Sequence, residues 1–160
     1  MTSKLVHGIV ALIWQPGILA ALLERWLTPL FDLGIRLYVA SVFLRSGWLK
    51  ISDWKSTLVL FQNEYHVPVL SPDLAAILGT GGELVLPVLL ALGLSGRFGA
   101  AGLFVVNLVA VLSYPDLSDL GHADHLLWGV LLLVTIFHGP GRLALDHWLE
   151  RRFNQEHKPF

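Results

Sequence analysis

The sequence predicts an all-α membrane protein: a four-transmembrane-helix bundle with interfacial amphipathic helices at both termini. Three observations carry this. The 160 residues are 54% apolar with a mean hydropathy of +0.64. Charged residues make up 14%, against roughly 25% in soluble domains, too few to cover the surface of a small soluble chain. Four stretches approach the ~20 apolar residues that a membrane-crossing helix needs. The same composition excludes disorder. A net charge of −1 removes the basic excess expected of a nucleic-acid binder. With no Cys, the chain has no disulfide, thiolate metal site or dithiol chemistry.

In chain order, residues 1–29 form an ambiguous N-terminal segment. Leu5–Trp14 and Ile18–Leu27 are apolar, with Gln15-Pro16-Gly17 breaking them apart. Ile13-Trp14-Gln15 is a poor cleavage site for a signal peptide. Two short interfacial helices fit better than a fifth span. The membrane domain covers residues 30–141. Its spans run Leu30–Leu49, Leu74–Leu94, Phe98–Tyr114 and about Asp119–His138, the last stopped by Gly139-Pro140-Gly141. Between the first two, Ser56–Tyr65 reads as a short amphipathic helix, and Asp73 is a candidate cap for the second span. Residues 142–160 form a basic tail. It places Leu145, Trp148, Leu149 and Phe153 on one face of an interfacial helix. No internal repeat is visible.

Lys and Arg placement sets an expected orientation. Lys4, Arg25, Arg97, Arg142, Arg151, Arg152 and Lys158 fall on one side of a four-span topology. Lys50, Lys55 and a snorkelling Arg45 fall on the other. Both termini are therefore expected in the cytoplasm. Trp48, Trp54, Tyr65, Tyr114 and Trp128 gather near the outer boundary, as an aromatic belt does, and Trp54 and Tyr65 are also candidate anchors for a docking partner.

Charges within spans need partners or a function. On the first span Arg36, Ala40, Phe43, Gly47 and Lys50 form one stripe, joined by Asp32. Arg45 points the opposite way. On the second span Ala75, Gly79 and Glu83 share a face, and Pro87 leaves the Glu83 carbonyl without its helical donor. Arg36 and Glu83 should differ in depth by about 7 Å, so Arg36 or Lys50 is expected to contact Glu83. Two readings stay open, a structural ion pair and a proton-relay or quinone-contacting carboxylate. On the third span Asn107 suits interhelical hydrogen bonding. The fourth opens with Gly121-His122-Ala123-Asp124-His125. Its two His lie at i, i+3, with Asp116, Asp119 and Asp124 nearby. Capping, metal binding, and quinone or proton chemistry all suit this cluster. His125, one turn deeper, is the stronger functional candidate.

Three pieces carry a family resemblance. They are Arg36…Phe43-x-x-Ser46-Gly47-x-x-Lys50-Ile51, then Gly82-Glu83-Leu84…Leu92-Gly93-Leu94-x-x-Arg97, then Gly139-Pro140-Gly141-Arg142-Leu143-x-Leu145-Asp146. Together they resemble the DoxX family over about Leu30–Leu149. Asp53-Trp54…Glu64-Tyr65-x-Val67-Pro68 and Ser113-Tyr114-Pro115-Asp116…Asp124-His125-x-x-Trp128-Gly129 are similar to a proteobacterial subgroup. Members of that subgroup often lie beside genes for peptide-modifying iron enzymes induced by copper or gold. The family takes its name from a membrane subunit of an archaeal thiosulfate:quinone oxidoreductase. Other relatives look like assembly factors or partners of redox proteins. The resemblance points to Arg36, Gly47, Lys50, Glu83 and Arg97, and implies a multi-pass protein of the bacterial inner membrane.

The leading expectation is a subunit supporting redox chemistry in metal or oxidative stress, with a quinone or a membrane or periplasmic partner enzyme. Its candidate catalytic groups are Glu83, His125 and Lys50, with Arg36, Tyr114 and Trp128 as cofactor contacts. A metal would use His122, His125 and Asp124. The alternative is a non-catalytic membrane scaffold or assembly chaperone; a transporter is disfavoured by the missing inverted repeats. An enclosed cavity lined by Lys50, Glu83 and His125 would favour redox chemistry. A solid core with every charge paired would favour the scaffold.

Overall fold

The computed structural model describes residues 16–156. These form six helices and no strand: α1 (Pro16–Ser52), α2 (Trp54–Asn63), α3 (Pro72–Leu92), α4 (Gly96–Ser113), α5 (Asp119–His138) and α6 (Leu145–Glu156). Four of them, α1, α3, α4 and α5, are long and apolar enough to cross a membrane. The expectations resting on Lys4, Leu5–Trp14, the Phe153 side chain and Lys158 lie outside the described residues.

The four long helices run up and down in sequence order. Helix α3 packs between α1 and α4, and α4 between α3 and α5. Helix α5 returns to α1 through Trp128, whose ring meets Phe43 edge-on at 5.9 Å and whose indole N–H donates to the Tyr38 hydroxyl at 3.4 Å. The core is a cluster of Val39, Phe43, Leu90, Ala100, Leu103 and Leu132. Outside it, large apolar side chains such as Phe31, Phe98, Leu112 and Phe137 stay exposed. This inside-out distribution suits a bundle whose solvent is lipid.

The expected break at Pro16 is instead a helix start. Pro16 opens α1, where its missing N–H costs nothing. The helix then continues for 37 residues. At ~1.5 Å per residue that is about 55 Å, well beyond a ~30 Å hydrocarbon core. The stretch Ile18–Leu27 is thus continuous with the first span. Pro29 lies inside the helix and removes one hydrogen bond, to the Arg25 carbonyl, without ending it.

The connections follow local chemistry. Asp53 caps α2, its carboxylate accepting from the Ser56 N–H at 3.1 Å and hydroxyl at 2.7 Å. Helix α3 is capped by Ser71 rather than the expected Asp73, with Pro72 in its first turn. Asp73 instead accepts from the Gln62 side chain at 3.4 Å. Ser118 caps α5, and Gly139 ends it with φ +98°.

Candidate functional site

The polar residues of α1 define both ends of the bundle. The expected stripe is the buried face: Asp32, Arg36, Ala40, Phe43 and Gly47 are all buried, and Lys50 is partly so. Arg45, on the opposite face, is exposed. Gly47 is required by close approach. A Cβ there would stand 3.0 Å from the Glu83 Cβ and 3.1 Å from its carbonyl carbon. This lack of bulk brings α1 against α3 at the turn where Pro87 withholds a donor.

One helical turn further along α1, Lys50 meets Glu83. Its ammonium donates to both carboxylate oxygens, at 2.6 and 2.5 Å, and to the Ser46 hydroxyl at 3.0 Å. The two side chains are only 15% and 8% exposed. Thr57 of α2 donates to the Lys50 carbonyl at 2.8 Å and ties α2 over the pair. Beside it Tyr65 stacks between Phe61 and Tyr114, at centroid distances of 4.8 and 5.1 Å. Tyr114 donates to Glu64 at 3.2 Å. Burial, then the Glu83, Tyr114 and Glu64 charges, push the Tyr65 phenol above its usual pKa. The hydrogen bond to Glu64 and that carboxylate's charge do the same for Tyr114. Both phenols therefore remain protonated donors across the physiological range. Trp54 and Tyr65, read from the sequence as docking anchors, are instead half-buried against Phe61, Ala75 and Ala76.

Arg36 does not reach Glu83. It is 1% exposed at the other end of the bundle, where it donates to the Leu90, Ala91 and Leu143 carbonyls at 3.3, 3.0 and 2.8 Å. Leu90 and Ala91 belong to the last turn of α3, whose carbonyls carry the negative end of the helix dipole. The Leu90 carbonyl also accepts from the Gly93 N–H at 3.1 Å, so the guanidinium adds a second bond there and supplies a side-chain donor to Ala91. Asp146 does the converse for α4, accepting from the Ser95 and Gly96 N–H groups at 2.8 and 2.9 Å. Gly93 has φ +65°, and a Cβ there would meet Arg36 and Ala144 at 2.5 Å. Gly141, φ +78°, has Asp32 at the same distance from the position a Cβ would take.

Between α4 and α5, Asn107 and His125 form a reciprocal pair. The amide donates to the His125 carbonyl at 2.9 Å, and its oxygen lies 2.7 Å from His125 Nδ1. Nδ1 is thereby the protonated nitrogen facing the amide, and Nε2 is the ring's remaining polar atom. The imidazole also meets Trp128 edge-on at 4.8 Å. These two residues sit in a groove of about 470 Å³ walled by Phe104, Leu108, Val111 and Leu133. His122 shares the groove's lining, its Nδ1 3.1 Å from the Ser118 carbonyl.

Of the predicted site residues, Lys50 and Glu83 join directly and His125 and Trp128 join each other; Tyr114 stacks on Tyr65 beside the first pair, and Arg36 lies at the other end of the bundle. Lys50 and Glu83 are not part of the lining of the groove that holds His125. His122, His125 and Asp124 do not converge as a metal site: among the described residues no group of three His, Cys, Asp or Glu side chains is placed to hold an ion. The sequence reading missed the second half of each contact at the α6 end. Backbone carbonyls carry no sequence signature, and Asp146 caps a helix 50 positions away. The one available signal was the Gly-Pro-Gly turn that brings Gly141 onto Asp32.

No solved structure matches the chain. An uncharacterized protein of Haemophilus influenzae is 28% identical over 124 residues, covering 73% of this chain and 82% of its own length. The sequence profile of the DoxX family matches residues 31–115, which hold Arg36, Gly47, Lys50, Glu83 and Arg97. With more than half its length matched, and with a bundle whose packing turns on those same positions, the chain belongs to the DoxX family.

Proposed function

We propose that this protein is a DoxX-type membrane subunit that supports redox chemistry by holding a quinone in the groove between α4 and α5. One observation carries this reading: the groove is apolar except for the Asn107–His125 pair and His122 near its mouth. A long isoprenoid tail suits the apolar wall, and Nε2, left as an acceptor by the Nδ1–H bond to Asn107, suits a hydroxyl of the reduced ring. A quinol there would supply two-electron, two-proton chemistry, with electrons passed to a partner enzyme. His125 takes one hydroxyl proton at Nε2, the other passing to solvent, and Asn107 fixes the tautomer that leaves Nε2 free to accept it. Trp128 walls the imidazole on one side. Lys50 and Glu83 form a neutral, closed pair and serve to hold α1 against α3.

The test is purification into native lipid discs, then extraction and mass spectrometry for quinone. The wild type should retain quinone. His125→Ala and Val130→Trp, the second filling the groove without altering the imidazole, should both lose it at unchanged membrane abundance. Quinone held equally by all three, or absent from the wild type after saturating addition, sinks the reading. A scaffold role is the second reading, favoured by the full pairing of Lys50 with Glu83. There, loss of that pair lowers a partner's abundance while His125→Ala has no effect.

A further inference from the structure

At the α6 end, the first turns of α1 and helix α6 flank an open groove of about 840 Å³ along which exposed basic side chains gather. Arg25, Arg142, Arg151, His138 and His147 line it, with Glu24 as its single carboxylate. His138 lies 3.7 Å from Asp32. Among the described residues, no hydrogen bond or ion pair engages Arg25, Arg142 or Arg151; Arg25 stands 5.7 Å over the Trp26 ring. The adjoining groove, which shares Glu24, His138, Arg142 and His147, adds Asp32, Asp146 and Glu150, so the cationic excess lies on the Arg25–Arg142–Arg151 side, where exposed like charges repel and an anion joining them is favoured. The fold nevertheless brings them together through the Gly-Pro-Gly turn and the seating of α6.

We infer that this groove binds a phosphate-bearing anion between Arg142, Arg151 and Arg25. Guanidinium forks suit phosphate oxygens in bidentate pairs, and His147 supplies a further donor. The surroundings favour a lipid headgroup as the source. Trp26 and Trp148 are 65% and 55% exposed, as tryptophans at a membrane–water boundary are. Arg152 stands over Trp148 at 5.5 Å. The groove thus opens at headgroup depth, with apolar surface below it for acyl chains. Clustered basic groups at that depth select anionic lipids.

The experiment uses the full chain in mild detergent. Native mass spectrometry follows retention of added phosphatidylglycerol against phosphatidylethanolamine, and equilibrium dialysis of delipidated protein measures inorganic phosphate. The wild type should retain phosphatidylglycerol selectively. R142Q/R151Q should weaken retention about thirtyfold, two charges of about 1 kcal/mol each being removed. Arg45→Gln, an exposed charge at the opposite end of α1, should leave it unchanged. Glu24→Gln should strengthen retention, a gain that misfolding does not produce. Phosphate bound by the wild type and lost in R142Q/R151Q, without lipid selectivity, assigns the site to a free phosphate compound. Equal retention of both lipids with no phosphate bound overturns the inference. So does phosphatidylglycerol retention unchanged in R142Q/R151Q.

Discussion

Lys50 and Arg36 sit at the two ends of one buried stripe on α1, yet they are accommodated by different means. Lys50 is neutralised by a carboxylate that accepts no other hydrogen bond among the described residues. Arg36 is held by three carbonyls, two of them in the last turn of α3. At the first end, two charges cancel, and either alone would be a liability. At the second end, the charge bonds the negative end of a helix and the segment that follows α5. The first arrangement is a pairwise device. The second is a junction, since α1, α3 and the Leu143 segment all meet on one guanidinium.

That difference predicts opposite results from double substitution. Glu83→Met leaves the Lys50 ammonium buried, and should cost on the order of 3–5 kcal/mol by analogy with soluble proteins. Part of that cost is softened in a membrane. Lys50→Met should cost a similar amount. The Lys50→Met/Glu83→Met double variant should recover at least half, because an apolar pair packs where the ion pair stood. Reversible unfolding in mixed micelles checks this. Additive losses, with no recovery, would mean that the two residues act separately.

The pairwise device was legible in the sequence and the junction was not. Spacing alone placed Asp32, Arg36, Ala40, Phe43, Gly47 and Lys50 on one face, and Glu83 on the small-residue face of α3. Opposite charges on facing stripes announce each other. Arg36 stood beside Lys50 as an alternative partner for that carboxylate because a side-chain partner is all that a sequence displays; its actual partners are main-chain oxygens, identical at every residue. The four spans, the α5 stop at Gly139 and the bonding role of Asn107 were likewise readable from hydropathy and residue type. The continuity of α1 was not. Pro16 looks like a break, and position within the helix decides what a proline does. The pairing of His125 with Asn107 depends on the register of α4 against α5, which spacing within one helix does not give.

A smaller effect tests the junction. Arg36→Lys keeps the charge and loses the planar fork, so one ammonium cannot span the Leu90, Ala91 and Leu143 carbonyls. The expected loss is about 1–3 kcal/mol, the range for a charged hydrogen bond left unmade. It should be local. Hydrogen exchange should quicken around residues 90–94 and 143–146 while α2 keeps its protection. Faster exchange at α2 and none at the junction would place the Arg36 contribution elsewhere.

The smallest effect belongs to the loop beside the ion pair, and it separates an exposed carboxylate from a buried one. Asp53 caps α2 from the surface. Its bonds from the Ser56 hydroxyl and N–H hold its carboxyl below the usual pKa. The ionised form is the one bonded in the folded state, so its contribution is present above the unfolded carboxyl value of ~3.9. It is lost as pH falls through the lower, folded value. Between those limits α2 should loosen while the rest of the bundle is unmoved, since the cap is local and solvent-screened. Asp53→Asn keeps an oxygen acceptor for the cap and removes the titration. Exchange rates at Thr57, Leu58 and Val59, corrected for intrinsic pH dependence, should therefore rise on acidification in the wild type and stay level in Asp53→Asn. If both proteins loosen together, protonation elsewhere is responsible and the cap is not the acid-sensitive element.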